Sequence, residues 1–352
     1  MSDPTPQTDS TVSGTDEPLD IAIVGAGPCG LAVGAAARKA GLRAVLFDKG
    51  SLCASLVGYP PFTTFFSTAE KLEVEGLPFV TNANNPTRRE ALTYYRGVAR
   101  YFELSVRQYE TVERVERKAR GFTIHTRQRD ASARAAREAR AVVVATGGFH
   151  EPNLLGVPGE DLPKVSHYYR EAHPYWNENV VIVGGGNSAV ETGLELFRVG
   201  ARVTLVHFGE GLDAGVKPWL LPDIRNRVEN GEIAVRWRTR VAEIRPGSVV
   251  LRQEGEAGLD EIQNDRVLAL TGWKPDHSLL LAVGVPVEPE TGVPEHDPET
   301  METPVPGIFI AGVLAAGYDA NKIFIENGRF HGGRIVERIR ACSTQGRGGA
   351  TP

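Results

Sequence analysis

The chain has 352 residues, 41% of them hydrophobic and 24% charged, with 44 acidic against 39 basic side chains and a formal net charge of −5. That is enough chain for two or three domains of ordinary size with a normal core. The mild acidity gives no reason to invoke nucleic acid or an anionic membrane as a partner, and no apolar run approaches the roughly 20 residues of a spanning helix.

Residues 1–17 are polar, rich in Ser, Thr, Asp and Pro, and lack a basic n-region and an apolar h-region. They read as a disordered tail rather than a signal peptide, and the chain as cytoplasmic. Leu19-Asp20-Ile21-Ala22-Ile23-Val24 is a short apolar strand. It runs into the loop Gly25-Ala26-Gly27-Pro28-Cys29-Gly30. The spacing then predicts an Ala-rich helix over 31–40, stopped by Gly41, and a second strand over 43–47. A meander is expected over 111–116 and 121–127, then a polar, Ala/Arg-rich turn over 128–140, and a buried strand over 141–145 that ends in Thr146-Gly147-Gly148. At Asn179 the first pattern returns: a strand over 180–183, the loop Gly184-Gly185-Gly186-Asn187-Ser188-Ala189, a helix over 190–199 stopped by Gly200, and a strand over 202–206. A strand over 266–270 ends in Thr271-Gly272, and both strand-Thr-Gly units lead into connections that contain proline, Pro152 and Pro275. A late strand over 307–311, a helix from 321 to about 340 and a loose tail over 343–352 complete the chain.

Two β-loop-α-β units with the same punctuation predict an α/β chain of two Rossmann-like dinucleotide-binding domains. The proline connections place the second inside the first: 18–150 with 271–342, and 151–270.

A glycine loop that opens a helix brings backbone N–H groups and the positive helix end to a pyrophosphate. A lone loop of this kind is weak evidence, but here each copy stands between a strand and a helix. Asp48 follows the first loop by about 20 residues, where an acid accepts hydrogen bonds from ribose hydroxyls, so the first site suits FAD or NAD. At the corresponding place after the second loop stands His207, followed by Phe208. An acid would repel a 2′-phosphate, so its absence favours NADPH, with Lys217 the nearest downstream base. His207 also reads as a simple surface histidine. Two nucleotides in one chain imply hydride traffic from a nicotinamide to a flavin.

The order of motifs resembles the thioredoxin reductase-like flavoproteins from Asp20 to about Ile339. Those proteins carry a redox C-x-x-C just before the second glycine loop. Here the segment Val165-Ser166-His167-Tyr168-Tyr169-Arg170-Glu171-Ala172-His173-Pro174-Tyr175-Trp176 holds no cysteine. A narrower likeness is to the bacillithiol-disulfide reductase family. It is carried by Pro28-Cys29-Gly30-Leu31, Thr64-Phe65-Phe66-Ser67-Thr68-Ala69-Glu70-Lys71-Leu72-Glu73, Val157-Pro158-Gly159-Glu160-Asp161-Leu162-Pro163, Ser166 to Tyr169, Glu171 to Pro174, Lys217-Pro218-Trp219, Ala311-Gly312-Val313, Ala315-Ala316-Gly317, Asp319-Ala320-Asn321 and Ile325-Glu326-Asn327-Gly328. Phe208 departs, since the likeness calls for Arg there.

The likeness implies FAD at Gly25, Gly27, Pro28, Cys29, Gly30, Asp48, Lys49, Gly312, Val313, Ala320, Asn321 and Lys322. It implies NADPH at Gly184, Gly186, Asn187, Ser188, Ala189, Glu191, His207 and Lys217. Thioredoxin reductases have Asp after the late glycine, and Val313 cannot replace its hydrogen bond; backbone groups over 319–323, at a helix start, are expected to compensate. The implied activity is NADPH-dependent reduction of a low-molecular-weight disulfide, bacillithiol disulfide first, by a dimer or tetramer without metal. A ferredoxin or flavodoxin reductase, a flavin monooxygenase and a slow redox sensor are the rival readings.

Cys29 lies where a helix N-terminal field lowers a thiol pKa and a thiolate could attack a small disulfide. It reads equally as a small residue beside the cofactor, whose phosphates oppose a low pKa. Cys53 is a mobile thiol or a plain loop cysteine, and Cys342 adjoins the tail. None forms C-x-x-C or a zinc spacing. Glu191, in the first turn of its expected helix, bonds a ribose or complements the helix dipole. His167, Tyr168, Tyr169 and His173 line a substrate mouth or pack as an aromatic hinge.

Overall fold

The computed structural model describes residues 17–129, 134–149 and 151–345. The chain opens with β1 (Leu19–Val24), α1 (Pro28–Lys39) and β2 (Ala44–Asp48). Helices α2 (Ala54–Val57) and α3 (Arg88–Tyr101) lead to β3 (Ser105–Gln108), β4 (Glu110–Arg117), β5 (Phe122–Gln128) and β6 (Arg134–Val144). After β7 (Glu151–Pro152) and β8 (Val165–Ser166) come β9 (Asn179–Val183), α4 (Asn187–Arg198) and β10 (Arg202–Val206). Then follow α5 (Leu221–Glu229), β11 (Ala234–Arg236), β12 (Thr239–Ile244), β13 (Ser248–Gln253), β14 (Asp260–Gln263) and β15 (Arg266–Ala269). The chain closes with β16 (Trp273–Lys274), α6 (Ser278–Ala282), β17 (Ile308–Ile310), α7 (Ile325–Gly328) and α8 (His331–Gln345).

A seven-stranded sheet runs β3-β2-β1-β6-β5-β4, with β17 also on β6. Strand β6 serves two partnerships. Its second half lies parallel to β1, with Val142 opposite Ala22, and to β17, with Val143 opposite Phe309. Its first half pairs antiparallel with β5, with Glu138 opposite Thr123. Strands β1 and β6 are apolar without alternation where helices or loops cover both faces, as Ile21, Ala22, Ile23, Val142 and Val143 are all fully buried. A second, parallel sheet runs β11-β10-β9-β15-β8, and its core packs Ile182, Leu205 and Leu268 with Leu194 and Leu196 of α4. β12, β13 and β14 form a separate antiparallel sheet. The connections expected to carry the crossovers meet: β7 pairs with β16, Trp273 opposite Pro152.

The expected α/β class with two Rossmann-like units is what the chain forms. Four local expectations need correcting. Helices α1 and α4 begin three residues earlier than expected, because Pro28 and Asn187 already adopt the first turn. The Ala/Arg-rich stretch over 134–140 is strand, not turn. Arg137 pairs there with the buried Glu110 (2.6 Å), and register with β5 overrides the poor strand preference of Ala. The rest of that expected turn, 130–133, lies outside the described residues.

The single helix expected from 321 is two. Asn327 ends any continuity before it, accepting from the Phe324 N–H (2.7 Å) and donating to the Lys322 carbonyl (3.0 Å). Helix α8 runs to Gln345, into the segment expected as tail. Residues 1–16 and 346–352, the bulk of both expected tails, lie outside the described residues. Among the described residues no helix is long and apolar enough to cross a membrane, and no His/Cys/Asp/Glu group could hold a metal ion.

Candidate functional site

The first glycine loop is fitted to a phosphate by what it lacks. A Cβ on Gly30 would overlap the Gly25 carbonyl oxygen, so α1 can start this tightly only with glycine there. In front of Gly27, the N-cap of α1, the space is open. Pro28 sits where a missing N–H costs nothing, and the first-turn N–H groups of Cys29 and Gly30 have no intrahelical acceptor. Those groups and the helix dipole suit a pyrophosphate. Asp48, at the end of β2, is held rigidly: its two oxygens accept from the Ala26 and Gly50 N–H groups, each at 2.8 Å. A carboxylate has acceptor capacity beyond those two bonds, which can face a ribose. Lys49 beside it is exposed.

The Cys29 sulfur fills a niche between two late glycines. A Cβ on Gly312 would lie 3.0 Å from it and one on Gly328 2.9 Å. Burial pushes this thiol up to about 12. The helix field expected to lower it therefore loses to desolvation. Cys53 is buried, not mobile; it takes a left-handed backbone (φ 54°) and its N–H donates to the Ala26 carbonyl (3.0 Å). Burial first, then Asp48 and Cys29, push its thiol well above the ordinary range.

Around the late glycine the expectation changes in detail. The Gly312 N–H donates to His331 Nδ1 (3.1 Å). Val313 packs its side chain against Gly148. Residues 319–323 form a turn rather than a helix start, with the Asp319 carboxylate accepting from the Asn321 N–H (3.2 Å) and lying 3.8 Å from the Lys322 ammonium. Asn321 reaches across to Gly215 of the second unit, while Ala320 stays in the turn.

At the second loop, Gly184 has φ +148°, and a Cβ there would come 2.5 Å from the Leu270 carbonyl oxygen. Gly186 is the N-cap of α4, and the buried Ala189 takes the place of the third glycine. Asn187 ties the loop down, donating to the Gly215 carbonyl (3.0 Å) and accepting from the Lys217 N–H (2.9 Å), and Ser188 is exposed. Glu191 falls in the second turn of α4, because the helix starts earlier than expected. Burial, then the like charge of Glu195, raises its pKa.

His207 is not a surface residue. It is 4% exposed, and its ring fills the space under Gly185, where a Cβ would collide with it at 2.5 Å. Its Nε2 faces Asp213 Oδ1 at 3.3 Å. An acid does stand against this loop after all: the Asp213 N–H donates to the Gly185 carbonyl (3.0 Å) and a Cβ on Gly186 would lie 3.2 Å from its carboxylate. Lys217 also has partners that its position in the sequence does not reveal. Its ammonium lies 5.3 Å from the rings of both Phe66 and Phe324, on the first unit.

Aromatic side chains join the two units. Phe66 meets Trp219 edge-on with centroids 5.5 Å apart, Phe62 meets Tyr169 at 6.5 Å, and Trp273 meets Tyr168 at 4.8 Å. The segment over 165–176 therefore packs its tyrosines against aromatic rings at the junction of the two units. Tyr169 donates to Glu195 (2.7 Å), and His167 Nε2 faces Glu160 at 3.3 Å. His173 begins a short helical turn. The sequence held the signal for this packing in its run of aromatics, but not the partners Phe62, Trp219 and Trp273.

The geometry is that of two dinucleotide cradles facing an aromatic seam, and comparison with known proteins agrees. The pyridine nucleotide-disulphide oxidoreductase family profile matches residues 22–312. The chain is 44% identical to the bacilliredoxin reductase of Bacillus subtilis over 317 residues, covering 90% of this chain and 96% of that one. It superposes on the bacillithiol disulfide reductase from Bacillus cereus with a TM-score of 0.90 and 42% identity, over 93% of this chain and 100% of that one. The Staphylococcus aureus bacillithiol disulfide reductase gives 0.86 and 38%, over 93% and 99%. With cradles, fold and likeness in accord, the chain belongs to the pyridine nucleotide-disulphide oxidoreductase family.

Proposed function

We propose that this chain is a cytoplasmic, homo-oligomeric FAD enzyme that uses NADPH to reduce a low-molecular-weight thiol disulfide, bacillithiol disulfide foremost. The observation that carries this is the likeness, 42% identity over 93% of this chain with a TM-score of 0.90, to a protein named bacillithiol disulfide reductase. The cysteine-free segment before the second loop agrees with it, since no dithiol relay is available there.

The reading assigns FAD to residues 18–150 with 271–342 and NADPH to 151–270. When bound, the pair supplies hydride transfer from nicotinamide to flavin and a two-electron store for the disulfide. The chain's own part is placement. The first-turn N–H groups of α1 and α4 hold pyrophosphates, Asp48 takes a ribose, and the aromatic contacts fix the two cradles against each other. Cys29 is the thiol assigned to attack the disulfide. Protonated by burial, it attacks slowly, so turnover through it rises with pH.

The test is NADPH consumption by the flavin-loaded protein against bacillithiol disulfide, oxidised bacilliredoxin, glutathione disulfide, thioredoxin and ferredoxin. Turnover with bacillithiol disulfide alone is the expected result. Turnover with ferredoxin alone overturns the proposal, and a requirement for bacilliredoxin moves the substrate from a small molecule to a protein.

A further inference from the structure

The base expected beside the second ribose is missing from the local sequence, and the structure supplies one from elsewhere. Phe208 follows His207 at the end of β10, where the adenosine ribose of a dinucleotide falls. Because His207 points inward under Gly185, Phe208 points out and is 57% exposed. Over its ring, with Cζ 4.7 Å from the centroid, lies the Arg240 guanidinium from β12.

The neighbours of Arg240 sharpen the picture. Arg236 has Asp260 at 3.6 Å, and Arg238 has Glu254 at 3.7 Å. Arg240 has no carboxylate partner among the described residues. Its register partner across the β12–β13 pair is another arginine, Arg252, also without one. Both point outward, since the adjacent Val241 and Leu251 are buried. Like charges directly opposite on antiparallel strands repel. Two such guanidinium groups at the mouth of a nucleotide loop are matched to an anion from outside the chain.

We propose that Arg240, held over Phe208 and backed by Arg252, is the element that recognises the 2′-phosphate of NADPH. The planar guanidinium pairs bidentately with phosphate oxygens, and the aromatic face restricts it to one orientation. This assignment rests on the two-nucleotide reading above and gives Lys217 no part in it.

The test is calorimetry on the flavin-loaded protein with two fragments, 2′,5′-ADP and 5′-AMP, which differ by the 2′-phosphate alone. Arg240→Ala is expected to weaken 2′,5′-ADP by about tenfold or more, the loss of one charge-assisted contact, and to leave 5′-AMP unchanged. Arg240→Lys is expected to recover part of the loss, and Arg252→Ala to show a smaller one. The unaltered 5′-AMP affinity certifies a folded second unit. Equal affinities of the unchanged protein for the two fragments overturn the proposal, as does undiminished 2′,5′-ADP binding by Arg240→Ala. Neither measurement involves a disulfide, so absence of disulfide turnover sinks the functional reading and leaves the clamp standing.

Discussion

Single residues set the terms at the first loop. Gly30 has no substitute, because the Gly25 carbonyl oxygen occupies the space of a Cβ. Gly30→Ala is expected to yield protein with little bound flavin, checked by the visible flavin band per chain after purification; full flavin content would show that the loop can relax around a methyl group. Cys29 makes a different demand. Cys29→Ser keeps the packing between Gly312 and Gly328 nearly unchanged. It is expected to abolish disulfide turnover and leave anaerobic flavin reduction by NADPH at its full rate. Full disulfide turnover in this variant would remove Cys29 from the chemistry. Both residues were visible in the sequence as members of a motif. The niche around the sulfur was not, because Gly312 and Gly328 lie nearly a whole chain away.

At the scale of elements, α8 lies close on α1 at Gly332, where a Cβ would meet the Ala32 backbone, and reaches the late glycine through an imidazole. His331, in its first turn, accepts the Gly312 N–H and is nearly buried, and burial lowers its pKa to about 4. Folding thus favours the neutral ring. The stability this gives is complete above the ordinary value of 6.5 and is lost as pH falls toward 4, as the unfolded chain takes up the proton first. The loss by pH 5 is about 2 kcal/mol. His331→Asn keeps an acceptor for Gly312 without a titrating group. Urea midpoints at pH 7 and pH 5 are expected to fall further in the unchanged protein than in His331→Asn; equal falls would show that the ring is hydrated.

The elements also divide by how well they could be read. Strands β1, β9 and β10 and helices α1 and α4 announce themselves through continuous apolar runs and glycine punctuation. The second half of β6 was legible as a buried apolar run, but its first half was not, because Ala and Arg at 134–140 favour no strand until β5 provides the partner. The antiparallel sheet β12–β14, which carries Arg240, escaped for a related reason: its significance depends on lying beside Phe208, a relation that spacing along the chain cannot express.

The whole molecule is two nucleotide cradles joined by a paired crossover and an aromatic seam. Its duplicated plan was legible because each half is encoded locally, and the full-length resemblance rests on both halves together. What joins them was less legible. Lys217 stacks on Phe66 and Phe324, and Asn321 reaches Gly215, so residues assigned to one cofactor turn out to bridge the units. The central claim is that electrons travel from NADPH through flavin to a small disulfide. Its most direct test is a two-step anaerobic experiment: bleach the flavin-loaded protein with one equivalent of NADPH, then add one equivalent of bacillithiol disulfide and follow the flavin band. The account predicts rapid return of the oxidised flavin with release of two thiols per flavin; a band that stays bleached, yet returns on adding oxidised ferredoxin, would contradict it.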